Sequence, residues 1–184
     1  SKLRKYIDIT EVKMSAKNWN EIDYEKVPSK AMSNYRNAFA RNDNDRFSDY
    51  IDSVTKGEKK INASTLYPYD IIEKMDNDYK GVCEAQWDAL PNYVDGENNF
   101  LVMADVSGSM WGRPMATSVG LAIYFAERNK GEFANKFMTF TNQPRLVTLA
   151  ESWSLKRKYR KVTENVGYNT NLEKAFEVIL DTAV

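Results

Sequence analysis

The sequence predicts an α/β fold in which a short helical segment precedes a β-sheet. Three observations support this prediction. The first half contains amphipathic helices in series, and the second half opens on an apolar run, Phe100–Ala104, which stops at Asp105. A broad apolar helix and two more apolar segments follow. Strand, helix and strand in that order are typical of an α/β sheet with right-handed crossovers.

The composition limits the chemistry that the chain can perform. Lys plus Arg and Asp plus Glu both number 26, and a net charge of zero gives no global attraction to nucleic acid or anionic membranes. The absence of histidine removes Ser-His-Asp and Cys-His catalysis. Cys83 is the single cysteine, so no internal disulfide can form. With neither a membrane-length apolar run nor a signal-like N-terminus, we expect a soluble, cytoplasmic protein without membrane contacts.

The helices of the first half are predicted from apolar spacing and from proline and glycine positions. Pro28 and Pro68 each open a helix, and Val82–Leu90 forms another that ends before Pro91. Between the first two, a helix begins after the polar run 42–45 and ends at Gly57. Four aromatic residues have the spacing of a buried face, so we expect core packing rather than base stacking. They are Tyr35, Phe39, Phe47 and Tyr50.

Two acidic clusters in this half do not fit the pattern of a calcium loop. Asp43-Asn44-Asp45 lacks the glycine that an EF-hand requires at its sixth position. Asp76-Asn77-Asp78 has Gly81 there, but Trp87 replaces the bidentate glutamate of the twelfth position. Both clusters are therefore predicted to be helix caps or turns.

The second half supplies the elements of the sheet. After a polar boundary at 96–99, Phe100–Ala104 forms the first strand and a helix runs from Pro114 to Asn129, with Gly120 allowing close packing on the sheet. Residues 135–140 and 145–149 form two more strands, and their short connection favours a hairpin with one antiparallel edge strand. A basic helix at 155–162 and a helix from Leu172 complete the chain.

The loop after the first strand carries the strongest signal for function. Asp105, Ser107 and Ser109 alternate along an extended segment, so they can converge at the carboxyl end of a buried strand. One carboxylate and two hydroxyls are hard oxygen ligands, which suit Mg²⁺, Mn²⁺ or Ca²⁺. The alternative is a strand end whose polar residues bond loop amides and cap the next helix.

This loop resembles the metal-ion-dependent adhesion site of a von Willebrand factor A domain. The matching segments are Asp105-Val106-Ser107-Gly108-Ser109-Met110 and Gly167-Tyr168-Asn169-Thr170-Asn171-Leu172, although the family has its glycine and threonine adjacent. The resemblance implies a doubly wound sheet with a metal at its carboxyl edge, and Thr170 as a further ligand. It also implies water-filled coordination positions that an acidic partner residue can occupy.

The same resemblance predicts that the domain is partial. The family's last ligand is an aspartate on a strand that follows the helix beginning at Leu172, and that strand pairs with the first one. We therefore expect either a fragment of a longer protein or a chain that another element completes, with a sheet that lacks its last strands. The edge of Phe100–Ala104 would then be exposed, which invites self-association.

A second resemblance concerns the domain order. Segments 87–91, 125–131 and 171–176 are similar to an uncharacterised family that pairs a helical segment like the Ro/TROVE RNA-binding module with a C-terminal von Willebrand A-like domain. This resemblance divides the chain into residues 1–95, the end of a helical module, and residues 96–184, the beginning of the A-like domain.

Three functions follow as hypotheses. The first is a non-enzymatic binding module in which Asp105, Ser107, Ser109 and Thr170 hold Mg²⁺ (or Mn²⁺ or Ca²⁺) and capture an acidic residue of a protein partner. The second is RNA binding through the basic helix. Its candidate residues are Lys156, Arg157, Lys158, Arg160 and Lys161. The third, a metal-dependent hydrolase, is least favoured because no histidine or second carboxylate is placed to activate water.

Overall fold

The computed structural model describes residues 9–94, 99–164, 167 and 171–183. Within these residues the chain forms helices and a three-stranded mixed sheet, which confirms the predicted α/β class. The helices are α1 (Thr10–Ser15), α2 (Ser29–Asn42), α3 (Asn44–Thr55), α4 (Pro68–Ile72), α5 (Val82–Asp88), α6 (Arg113–Arg128), α7 (Leu155–Thr163) and α8 (Leu172–Ala183). The strands are β1 (Met103–Ala104), β2 (Lys136–Thr139) and β3 (Leu146–Thr148).

The chain divides into two compact units. The helical unit comprises Ser1–Leu66 with Asn77–Leu90, and the sheet unit comprises Tyr67–Asp76 with Pro91–Val184. The sheet unit thus includes α4, which precedes the polar boundary in sequence. The predicted domain limits at 95 and 96 lie outside the described residues and stay a prediction.

The helical unit has an aromatic core. Phe39 and Phe47 are fully buried, with ring centroids 5.5 Å apart, and Tyr24 packs against both at 5.3 and 5.1 Å. Tyr50 stacks on Tyr24 at 5.4 Å. These spacings are those of favourable offset and edge-to-face aromatic pairs. The expectation of core packing is confirmed, with Tyr35 only half-buried at the margin, edge-on to Phe39.

Both acidic clusters form turns next to helices. Asp43 lies between α2 and α3 with a φ of −147°, and its carboxylate accepts hydrogen bonds from the Tyr24 hydroxyl and from Arg46, both at 2.8 Å. Asp78 accepts a hydrogen bond of 2.9 Å from the backbone N–H of Cys83 in the first turn of α5. These contacts agree with the prediction of turns and caps.

In the sheet unit, α6 packs on α4 as well as on β1 and β2. A Cβ on Gly120 would lie 3.1 Å from Pro68 and from the Tyr69 nitrogen. The close approach at Gly120 is therefore to α4, whereas the sequence predicted an approach to the sheet. The reason is that the apolar face of α6 is broad enough to cover a helix and the sheet at once.

The sheet has the order β1-β2-β3. β1 and β2 are parallel, with Ala104 opposite Thr139, and β2 and β3 are antiparallel, with Lys136 opposite Thr148. The predicted hairpin with an antiparallel edge strand is confirmed. β1 is shorter than predicted. The Phe100 backbone bonds the Asn129 side chain instead of a strand: the Phe100 N–H donates to Asn129 Oδ1, and Asn129 Nδ2 donates to the Phe100 carbonyl.

β1 forms one edge of this sheet. Among the described residues no strand pairs with its outer side. Self-association through this edge stays a prediction. None of the described helices has both the length and the apolar content that crossing a bilayer requires.

Candidate metal centre

Asp105 lies at the carboxyl edge of the parallel strand pair. It directly follows β1, and the ladder continues beside it because Phe140 donates its backbone N–H to the Ala104 carbonyl at 3.0 Å. Ligands of open α/β sheets bind outside the carboxyl ends of the strands. The predicted position of the carboxylate relative to the sheet is therefore observed.

The segment that follows alternates buried and accessible side chains. Val106 is buried, whereas Asp105 and Ser107 are half-exposed and Ser109 is exposed. Asp105 Oδ1 accepts a hydrogen bond of 2.9 Å from the Ser107 amide, which is a local turn contact of the kind the structural alternative predicts. Each carboxylate oxygen has more than one lone pair, so this bond leaves Asp105 lone pairs with which to coordinate a cation.

The two serine hydroxyls converge. Ser107 Oγ and Ser109 Oγ are 3.1 Å apart, across a short 3₁₀ turn at Gly108–Met110. Two ligands that bind Mg²⁺ at about 2.1 Å and at right angles to each other lie about 3.0 Å apart. The observed spacing and the oxygen chemistry of the three side chains therefore fit a hard divalent cation.

Thr170, the fourth predicted ligand, lies outside the described residues, but residues on both sides of it are described. Asn171 donates its backbone N–H to the Thr141 carbonyl at 3.2 Å. A Cβ on Gly167 would lie 2.8 Å from the Thr141 Cβ, so only glycine allows this approach. Because Thr141 comes just after β2, Gly167 and Asn171 lie at the same sheet edge as Asp105.

Sequence reasoning missed the anchoring role of Thr141 and Asn171. Asn171 Oδ1 accepts a hydrogen bond of 3.1 Å from the Lys174 amide and thereby caps the first turn of α8. An asparagine immediately before an apolar helix is an N-cap signal, so this residue could have been found. Thr141 has no such sequence signal, because its contacts are with Gly167 and Asn171, which are distant from it in the sequence.

A second feature beside this loop was also missed. Trp111 is 87% exposed, and it contributes to a groove of about 440 Å³ that Met115 and Tyr159 also line. Burial, and then the adjacent Asp76 carboxylate, raises the pKa of Tyr159 above its usual range. Arg113 also lines this groove, and its Nε donates a hydrogen bond of 3.0 Å to Glu73 Oε1.

The five basic candidates on α7 do not share one surface. Lys156, Arg157 and Arg160 are exposed and Lys161 is half-exposed. Lys158, in contrast, is buried, and its ammonium group lies 2.7 Å from the Glu127 carboxylate on α6. The structure thus separates Lys158 from the other four.

One of the exposed cations, Arg157, contacts an aromatic side chain. The Arg157 guanidinium lies 4.3 Å from the Trp153 ring centroid, a cation–π contact. Arg157 and Trp153 therefore place a cation and an indole next to each other at the start of α7.

Comparisons with known proteins give family membership without a described activity. The family model of a domain of unknown function (DUF2828) matches residues 1–98, and that of a second domain of unknown function (DUF7788) matches residues 99–184. An uncharacterised protein of Acanthamoeba polyphaga mimivirus is 29% identical over 203 residues, which cover 100% of this chain and 35% of the relative. The chain thus spans about a third of that relative's length.

No solved structure matches the chain. The first family model covers more than half of the 184 residues. The prediction that the chain belongs to an uncharacterised family is confirmed. The chain belongs to the family described as domain of unknown function DUF2828.

Proposed function

We propose that the protein is a non-enzymatic binding module, similar to the adhesion sites of von Willebrand factor A domains. Asp105, Ser107, Ser109 and Thr170 would hold Mg²⁺, or Mn²⁺ or Ca²⁺ in its place. The partner would be a protein that presents an acidic side chain to this site.

The observation that carries the proposal is the spacing of the two serine hydroxyls. At 3.1 Å, Ser107 Oγ and Ser109 Oγ share a hydrogen bond, and this separation is also that of neighbouring ligands on one cation. Asp105 supplies a carboxylate from the preceding strand end, and its turn bond to the Ser107 amide orients it. Gly167 and Asn171 support a role for Thr170, because both approach Thr141 at the same edge.

The charge of such a site explains the choice of partner. A bound divalent cation would supply two positive charges and open coordination positions. Asp105 is the only carboxylate among the four proposed ligands, so the site would keep a positive charge. A carboxylate of a partner both fills a coordination position and compensates that charge.

Binding is favoured over hydrolysis by the surrounding side chains. The chain has no histidine, and within the described ranges no three His, Cys, Asp or Glu side chains cluster as a metal site. A hydrolase requires a group that removes a proton from the attacking water. Ser107 and Ser109 do not have the basicity for that role.

The test measures Mn²⁺ binding by calorimetry. Asp105→Asn keeps the size and the turn bond of the side chain but removes its charge, so we expect Mn²⁺ affinity to fall by about tenfold or more. Asp52→Asn, on the exposed side of α3, is the matched control and should bind as the unmodified chain does. Equal affinities for all three proteins would contradict the proposal.

A second candidate function is RNA binding, which the exposed face of α7 favours. Lys156, Arg157 and Arg160 are accessible, and Trp153 adds an aromatic surface beside them. Affinity for a single-stranded RNA should then fall steeply as salt concentration rises, and Arg160→Gln should reduce that dependence. Lys56→Gln, on another exposed surface, is the control. A flat salt response would exclude RNA binding dominated by phosphate contacts.

A further inference from the structure

A groove lies directly after the proposed metal loop in the chain. Trp111, Met115 and Tyr159 line it with side chains that are at least partly exposed, and the buried side chains of Ile72 and Ala116 line it as well. All five belong to the sheet unit. This cavity, which we call the Trp111 groove, is therefore apolar at its base.

Trp111 connects the groove to the metal loop. Its backbone N–H donates to the Gly108 carbonyl at 3.4 Å and thereby closes the 3₁₀ turn that carries Ser109. Gly112 follows with a φ of +86°, which side chains other than glycine rarely adopt, and α6 begins immediately after it. The Cα atoms of Ser109 and Trp111 are two residues apart in the chain and thus no more than about 7 Å from each other. A molecule bound at the metal loop therefore has the groove within reach of its neighbouring residues.

The exposure of Trp111 is unusual for so large an apolar side chain. It is 87% exposed, more than any other large apolar side chain among the described residues. An indole in water lacks the free energy that burial provides. Trp111 lies between the 3₁₀ turn and α6, so it does not extend a helix face that packs against the rest of the unit. Its exposed surface is thus available to a molecule at the metal loop.

The charged side chains of the groove balance one another. Arg113 pairs with Glu73 at 3.0 Å, and the Tyr159 hydroxyl donates a hydrogen bond to the Asp76 carboxylate. With Lys74, the lining contains two acidic and two basic residues. A charged occupant meets no net opposite charge there, whereas an uncharged apolar side chain gains burial without displacing these pairs.

We propose that the Trp111 groove binds a large apolar side chain of the same partner whose carboxylate occupies the metal centre. This inference rests on the function proposed above. The short distance between Ser109 and Trp111 places that side chain one or two positions from the partner's acidic residue. One segment fills both positions, so the molecule that reaches the metal is also the occupant of the groove. The metal recognises the charge, and Trp111 determines specificity for the adjacent side chain.

The test uses the 184-residue chain and fluorescent peptides of glycine and serine with one central aspartate. Four peptides carry a phenylalanine, one or two positions before or after the aspartate, and a fifth carries none. In Mn²⁺, fluorescence anisotropy should show that at least one phenylalanine peptide binds about tenfold or more tightly than the fifth, as burial of one aromatic side chain predicts. EDTA should abolish the binding of all five.

Variants of the groove should remove the advantage of phenylalanine. Trp111→Ser deletes one wall and should bring the ratio of the two affinities close to one. Met115→Lys places a charge in the groove and should have the same effect. Tyr93→Ser, which removes another exposed aromatic ring, is the matched control and should keep the full ratio. Circular dichroism should show that all three variants fold.

The results separate a failure of the groove from a failure of the metal centre. If no peptide binds in Mn²⁺, the proposed metal-dependent function is overturned and this inference with it. If the peptides bind in Mn²⁺ but phenylalanine gives no advantage, or Trp111→Ser leaves its advantage intact, only the groove is overturned. A phenylalanine advantage that persists in EDTA would also overturn it, because the groove and the metal would then not act on one partner segment.

Discussion

The two units use their aromatic and charged side chains in opposite ways. In the helical unit, Tyr24 is buried with its ring against other aromatic rings and its hydroxyl bonded to Asp43 at 2.8 Å. In the sheet unit, Trp111 and Phe176 are largely exposed. Buried aromatic residues stabilise a fold, whereas exposed ones are available for contact with other molecules. Among the described residues, the helical unit thus buries its aromatic side chains in one core, whereas the sheet unit has exposed aromatic side chains as well as buried ones such as Phe137 and Tyr124.

The polar contacts of Arg46 differ from those of the Asp105 loop, although the sheet unit also has long-range polar contacts of its own, such as that of Lys158 with Glu127. Arg46 joins distant parts of the helical unit, donating to the carbonyls of Trp19 at 3.0 Å and Ile22 at 2.9 Å and lying 2.8 Å from Asp43. In the sheet unit, the side chains of Asp105 and Ser107 bond within their own loop. Long-range contacts hold elements together, but local ones leave the side-chain oxygens accessible. The predictions below test this contrast, beginning with the largest effect.

Truncating a buried aromatic residue of the helical unit should lower the free energy of unfolding far more than truncating an exposed one of the sheet unit. Phe39→Ala removes a fully buried ring and should lower the free energy of unfolding by about 3–5 kcal/mol. Phe176→Ala removes an exposed ring and should change it by about 0.5 kcal/mol or less. Urea denaturation followed by circular dichroism measures both. Similar losses for the two variants would contradict the difference in burial between the two aromatic rings.

Alkaline pH should destabilise the helical unit through its tyrosines. Burial, followed by the Asp43 hydrogen bond, raises the pKa of Tyr24 well above its usual range, and burial first of all also raises the pKa of Tyr50. The unfolded chain ionises these phenols near pH 10, while the folded chain keeps them neutral. Their contribution is therefore complete below about pH 10 and is lost as the pH rises above it.

The variant Tyr24→Phe separates this effect from general alkaline damage. At neutral pH it loses the bond to Asp43 and should be about 1 kcal/mol less stable. Above pH 10 its stability should fall less steeply than that of the unmodified chain. Tyr93→Phe, at an exposed tyrosine, is the control and should follow the unmodified chain throughout. Identical pH profiles for all three would argue against the buried phenol as the cause.

The smallest effect on stability is expected at the candidate metal loop. Ser109→Ala removes an exposed hydroxyl and should change the free energy of unfolding in EDTA by about 0.5 kcal/mol or less. The same variant should lose Mn²⁺ affinity, because one of two converging oxygens is gone. A loss of stability in EDTA comparable to that of Phe39→Ala would show that the loop is structural instead.

Local patterns in the sequence were sufficient to predict most elements of the fold. Apolar spacing and helix-opening prolines predicted α2, α4 and α6, and the short connection predicted the β2–β3 hairpin. The alternation predicted for Asp105, Ser107 and Ser109 does not extend to Ser109, which lies in the 3₁₀ turn at Gly108–Met110. Helix and turn preferences depend on neighbours along the chain, so they can be read from one sequence.

Long-range packing could be learned only from the tertiary structure. Lys158 has the same local sequence pattern as the other basic residues of α7, yet it is buried because Glu127 lies opposite it on α6. Gly120 lies close to Pro68 and Tyr69, and Gly167 lies close to Thr141. These partners are too far apart in the sequence for helix or strand periodicity to predict the contacts.

Helix α8 shows the same division between local and tertiary information. Sequence places Leu172, Phe176 and Leu180 in one row, but their exposure follows from what packs on α8. The sequence by itself therefore determined which side chains share a helix face or a loop. The tertiary structure decided which of those faces are buried, because burial depends on contacts between residues far apart in the chain.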